Sequence, residues 1–135
     1  MRLSELRDKT PPDSLPKLSD ADFKLLWHCG FWDGPLSGML LYAGKEYWFE
    51  LIQENPQEPP IDWCQRFAVV ALSPAELAKE HEVHDDFRKY VGTHSDYPRG
   101  EVLPQETHHL FYNRHLEYCR QNNHENSPVV GWFEW

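Results

Sequence analysis

Eight histidines are spread over 135 residues, and two of them stand in the segment HEVHDD, residues 81–86. On a helix His81 and His84 share one surface, and Asp85 sits one turn beyond His81. Two imidazoles and a carboxylate are a donor set for zinc or iron. The spacing nevertheless falls short. It lacks the i, i+4 pair of an HExxH helix, and it names no third ligand. His108, His109, His115 and His124 contribute only if a second helix packs alongside. Lys79, Glu80, Glu82 and Asp86 flank the pair, so a solvated polar face is the favoured reading. No metal or cofactor is expected.

Two loops carry other candidate groups. GTHSDY, residues 92–97, sets His94 two positions from Asp96, a general base with a carboxylate nearby. Thr93 and Asp96 also suit a plain turn, since such side chains commonly satisfy loop amides. In FWDGPLSG, residues 31–38, Trp32 offers a flat face, Asp33 a carboxylate and Ser37 a hydroxyl. Asp33-Gly34-Pro35 is at the same time ordinary turn chemistry. A phosphate loop is excluded there, because the following Lys-Ser pair and helix are missing.

The tripeptide WFE occurs twice, at 48–50 and 132–134. On strands, Glu50 shares a side with Trp48, and Glu134 with Trp132. If the two strands are neighbours, their carboxylates meet in an aromatic pocket with raised pKa values. Arg66 is the expected neutralising partner. The competing reading points both acids into water, where they blunt a sheet edge.

Nucleophilic catalysis has little support. No GxSxG occurs, and Cys29, Cys64 and Cys119 read as buried free thiols. Three widely spaced cysteines without a CxxC argue for a reducing compartment rather than a disulfide framework.

The elements that must position these groups are legible as patterns. Residues 1–18 read as an N-terminal arm, with Pro11, Pro12 and Pro16 preventing a long helix, ahead of a single domain at 19–135. Ser19, with Asp20 and Asp22 behind it, resembles a helix start, and Phe23, Leu26 and Trp27 have helical spacing, which predicts a helix over 20–28. A hairpin over 38–53 follows, strands 38–43 and 46–53 joined through Ala43-Gly44-Lys45-Glu46. A third strand is expected at 65–72. Ser73-Pro74-Ala75-Glu76 opens a helix over 74–91 with inner face Leu77, Val83, Phe87, Tyr90 and Val91. A further helix is expected over 104–121, its inner face Phe111, Leu116, Tyr118 and Cys119, and a fourth strand over 129–135. The sum is an α+β domain with a mainly antiparallel sheet of about four strands and two or three helices.

Net charge is −9, with 22 acids against 13 bases and no Lys/Arg run. Nucleic acid and anionic membranes are therefore poor partners. No apolar run is long enough to span a bilayer, and no signal-peptide pattern opens the chain, so a cytoplasmic protein is expected. Aromatic residues make up 14% of the chain, which supplies burial in large pieces.

The favoured function is a non-catalytic binding module. It would hold a protein partner or small ligand, a basic protein inhibited in the manner of an immunity protein or antitoxin being one case. Its binding residues are expected among Trp32, Asp33, Ser37, Trp48, Glu50, Arg66, His94, Asp96, Trp132 and Glu134, with Tyr47 adding aromatic surface. The alternative is a small acid-base or metal-assisted hydrolase built on Asp33, Glu50, Arg66, His94, Asp96 and Glu134.

Overall fold

A computed structural model of the protein describes residues 1–31, 35–54, 64–90 and 105–135. Its elements run α1 (Leu3–Leu6), β1 (Phe23–Phe31), β2 (Pro35–Tyr42), β3 (Lys45–Glu54), β4 (Gln65–Val70), α2 (Pro74–Tyr90), α3 (Gln105–Gln121) and β5 (Val129–Glu134). The fold is α+β. Five strands, each antiparallel to the next, form one sheet in the order β1-β2-β3-β4-β5.

The fifth strand corrects the helix expected over 20–28. The cap signal at Ser19 is used, but only for one turn. The Ser19 amide and hydroxyl both donate to Asp22 Oδ2, at 2.7 and 3.0 Å, and the Asp22 amide donates to the Ser19 carbonyl at 2.9 Å. The chain then extends into β1. Phe23 and Leu25 face one core, whereas Trp27 and Cys29 face the other. A bulge at Leu26 makes the switch, because the register steps from Leu25↔Leu40 to Trp27↔Met39. One extra residue in a strand switches the face its later side chains take, and the apparent helical stripe of Phe23, Leu26 and Trp27 arises from counting Leu26, which is exposed. The hairpin tip is also tighter than expected. It comprises Ala43 and Gly44 alone, at φ 50° and 76°, between the paired Tyr42 and Lys45, as a two-residue turn with positive φ at both positions requires.

The sheet is strongly coiled. Four inter-strand steps of about 4.8 Å would hold the edges of a flat sheet about 19 Å apart. Yet the rings of Phe23 on β1 and Phe133 on β5 lie 4.5 Å apart. Bulges at Leu26, Ile52 and Val130 raise the local twist and bend the strands. Gly38 allows the closest approach: a Cβ there would stand 2.2 Å from the Trp27 carbonyl oxygen and 2.7 Å from a Phe49 ring carbon.

The concave side encloses Leu18, Leu40, Phe49, Phe67, Val69 and Phe133. Phe67 stacks on Phe133 at 5.1 Å. The convex side carries Met39, Trp48, Ile52, Ala68 and Val70, covered by Leu3 and Leu6 of α1 and by Leu77 of α2. Residues 1–18 run along the end of this sheet. Val129 donates its amide to the Met1 carbonyl at 2.8 Å, Leu3 to the Ser127 carbonyl at 3.0 Å, and Leu18 to the Trp132 carbonyl at 2.8 Å.

The start of α2 matches its capping box. The Ser73 amide donates to Glu76 Oε1 at 2.9 Å, and the Glu76 amide donates to Ser73 Oγ at 3.2 Å. The inner faces of the long helices differ from the expected stripes. On α2, Glu80 is buried beside Phe87, and His84 stacks on Trp27 at 4.2 Å. On α3, Leu116 is exposed and His115 is buried in its stead. Among the described residues, no helix is long and apolar enough to cross a membrane.

Candidate functional site

Of the residues singled out above, Trp32, Asp33, Gly34, Val91, Thr93, His94 and Asp96 lie outside the described residues. Ser37, Trp48, Glu50, Arg66, Trp132 and Glu134 lie on the convex side of the sheet; Trp48 pairs with Met39 and Val70, and the other five fall in two further cross-strand rows. One row runs Cys29↔Ser37↔Glu50↔Ala68↔Trp132, and the next runs Gln53↔Arg66↔Glu134. β4 separates the two WFE strands, so Glu50 and Glu134 do not meet. Each has its own cation. Glu50 accepts from Arg7 Nη2 at 2.9 Å and from the Trp48 indole at 3.1 Å, while Arg7 Nε also donates to Glu125 at 2.7 Å. Glu134 accepts from Arg66 at 3.3 Å and lies 3.4 Å from the Lys17 ammonium. Lys17 and Arg66 flank the Trp132 ring at 5.0 and 5.4 Å.

The direction expected for the Glu134 pKa is therefore reversed. Burial pushes it up, but Lys17 and Arg66 outweigh burial and hold it below the usual carboxylate value. Ser37 spends its hydroxyl on the Cys29 carbonyl at 3.0 Å. Trp48 is buried beneath the His124 ring, 5.3 Å away, so it is not the surface aromatic the sequence suggests.

The denser polar cluster lies between α2, α3 and the turn at 122–127. Buried Glu80 is its centre. It receives the His124 Nε2 at 2.8 Å and the Tyr118 hydroxyl at 3.3 Å. His124 Nδ1 faces Glu76 at 3.5 Å. The side chains of His124 and Glu80 are only 7% and 6% exposed. Burial alone would lower the His124 pKa, but Glu80, Glu50 and Glu76 overcome it and raise the value. One turn away, His115 Nε2 and the Cys119 sulfur lie 3.4 Å apart. Cys119 is exposed, contrary to expectation, whereas Cys29 is buried and Cys64 half-buried.

That cysteine–histidine pair is not an activated nucleophile. Activation needs a depressed thiol pKa and a cationic neighbour. Here burial, then Glu80 and Glu50, push the Cys119 thiol up to about 11, and burial lowers the His115 pKa. Both shifts favour a neutral thiol beside a neutral imidazole. Solvent access to Cys119 tempers the size of its shift, not its direction.

His81 and His84 use their surroundings differently from a ligand pair. His81 Nε2 contacts Glu46 at 2.5 Å, and His84 stacks on Trp27. Among the described residues no three His, Cys, Asp or Glu side chains form a metal-binding group. Burial, then Arg88, lowers the His84 pKa to about 4. A histidine held neutral in the fold contributes stability that is complete above its unfolded value of 6.5 and lost as pH falls toward the folded value. His84 therefore predicts a declining melting temperature between pH 6.5 and 4. In the upper part of that window, where carboxylates are still ionised, His84→Phe should flatten the decline. An unchanged slope in the variant counts against the assignment.

An open groove of about 360 Å³ borders the cluster, its lining including Glu76, Lys79, Tyr118, Asn123, His124 and Glu125. The signal that could have revealed this region is the register of α2. Leu77, Glu80, His84 and Phe87 follow a 3-4-3 spacing, so an acid occupies a core-facing position. Comparison with protein-family models, with curated proteins and with solved structures finds no significant match to the chain.

Proposed function

We propose that the protein is a non-catalytic binding module whose groove at the start of α2, the end of α3 and the 122–127 turn takes a basic segment of a partner protein. The observation that carries this reading is the groove itself: an open cleft bordered by Glu76 and Glu125 on a chain of net charge −9. A concavity on which a few polar groups converge is the first place to seek a binding site. The groups beside it are spent on one another rather than poised for chemistry. Both ring nitrogens of His124 face carboxylates, and burial and Glu80 raise the Tyr118 phenol well above its ordinary value. The hydrolase reading gains nothing comparable, since Glu50 and Glu134 belong to separate ion-pair networks.

Calorimetry with a short arginine- and lysine-rich peptide tests the proposal. Binding should weaken as salt rises, and a neutral peptide of equal length should not bind. Lys79 is a cation at the groove with an exposed side chain, so Lys79→Glu should tighten binding several-fold without disturbing the fold. Equal binding of neutral and basic peptides, or no response to Lys79→Glu, would refute it.

A further inference from the structure

The arrangement around His124 does more than fill space. An imidazole with a carboxylate before each nitrogen must carry both protons to donate at both sites. The neutral ring would present a lone pair to one of the acids. The charges facing the ring come from every neighbouring element. α2 supplies Glu76 and Glu80, and β3 supplies Glu50. Of the nearby cations, Arg7 of the N-terminal segment is already engaged by Glu50 and Glu125, and Lys79 of α2, which lines the same groove, pairs with Glu82. From α3, Tyr118 donates to Glu80. Acids thus predominate, and the imidazolium ties the turn to α2.

We propose that His124 is a pH-operated latch: as the imidazolium it pins the 122–127 turn to α2, and its deprotonation releases that joint and loosens the groove wall. What is released follows from the other tethers of the turn. Leu3 and Ser4 donate their amides to the Ser127 and Glu125 carbonyls, at 3.0 and 2.9 Å, and Arg7 grips Glu125. These bonds lead to the N-terminal segment and do not involve His124. The link to α2 runs through Glu80 and Glu76. Once His124 is neutral, its single N–H serves only one of the two acids, the other faces a lone pair, and buried Glu80 loses its counter-charge, which is strongly disfavoured. The latch stands whether or not the groove takes a basic partner, since every contact in it is internal.

The experiment is NMR on the free full-length protein. The His124 ring nitrogens are assigned by their loss in His124→Gln. Both nitrogens should be protonated at pH 6, and the titration midpoint should lie above the ordinary value of 6.5. Above that midpoint, amide exchange at residues 76–80 and 122–126, corrected for intrinsic base catalysis, should rise tenfold or more. His124→Gln should abolish this pH dependence. Glu80→Gln should lower the midpoint by a unit or more. If that variant does not fold, Glu76→Gln, which keeps a capping-box side chain, should lower it by a smaller amount. A neutral ring at pH 6, a midpoint unmoved by either variant, or exchange indifferent to deprotonation would overturn the latch.

Discussion

Deleting residues 129–135 is expected to leave a chain without a cooperative unfolding transition. β5 is paired along its length to β4, from Val129 opposite Val70 to Glu134 opposite Arg66. Trp135 extends the pairing by exchanging two backbone hydrogen bonds with Gln65, at 2.9 and 3.1 Å. The N-terminal segment depends on the same strand, because Met1 and Leu18 bond to Val129 and Trp132. Phe133, 1% exposed, contacts Phe23, Phe49 and Phe67, and so joins both edges of the coiled sheet. Truncating one such ring to alanine costs about 3–5 kcal/mol, against a total stability of roughly 5–15 kcal/mol. The deletion removes that ring, a whole strand ladder and the anchor of the first eighteen residues together. A truncated chain that is soluble, shows dispersed amide resonances and melts cooperatively would defeat this account of the fold.

The second large effect comes from a single position. Gly38→Ala places a Cβ 2.2 Å from the Trp27 carbonyl oxygen and 2.7 Å from the His28 Cα. Both are backbone atoms of the paired strand, so no side chain can move aside to make room. The β1–β2 ladder must open at the Gly38–His28 pair. The expected loss is about 4 kcal/mol or more, in the range reserved for overpacking and broken pairing. Gly44→Ala is the control. Its φ is +76° but nothing lies within 4 Å of the new Cβ, so it should cost about 1 kcal/mol, the ordinary penalty for a side chain at positive φ. Chemical denaturation of the two variants separates the predictions. Similar midpoints for both would show that the close approach at Gly38 is not what shapes the sheet.

Local signals were readable where one short stretch determines the outcome. The Ser73–Glu76 capping box starts α2, Gly44 turns the hairpin, and the apolar closing segment completes the sheet. The sequence misleads at β1 because two physical devices imitate a helix there. Asp22 accepts from the Ser19 amide and hydroxyl, half of a capping box with no helix behind it, and Leu26, exposed at the bulge, completes a 3-4 spacing with Phe23 and Trp27, which face different cores. Tertiary pairing with β2 then overrides the local preference.

The site was less legible. Glu50 and Glu134 were recognisable as charges inside strands that needed partners, but Arg7, 43 residues from Glu50 in sequence, carries no local mark of that role. Glu80 and His124 lie 44 residues apart, and their contact depends on how α3 returns the chain to the start of α2. The one local clue was Glu80 in the core-facing register of α2, where an acid must find a buried partner.

The measurement that bears most directly on the binding proposal is amide-shift mapping during titration with a basic peptide at low salt. The account predicts perturbations concentrated at residues 75–79 and 118–127, with the Arg66–Glu134–Trp132 side of the sheet unmoved. Perturbations centred on Trp132 and Glu134, or no saturable shifts at all, would contradict it.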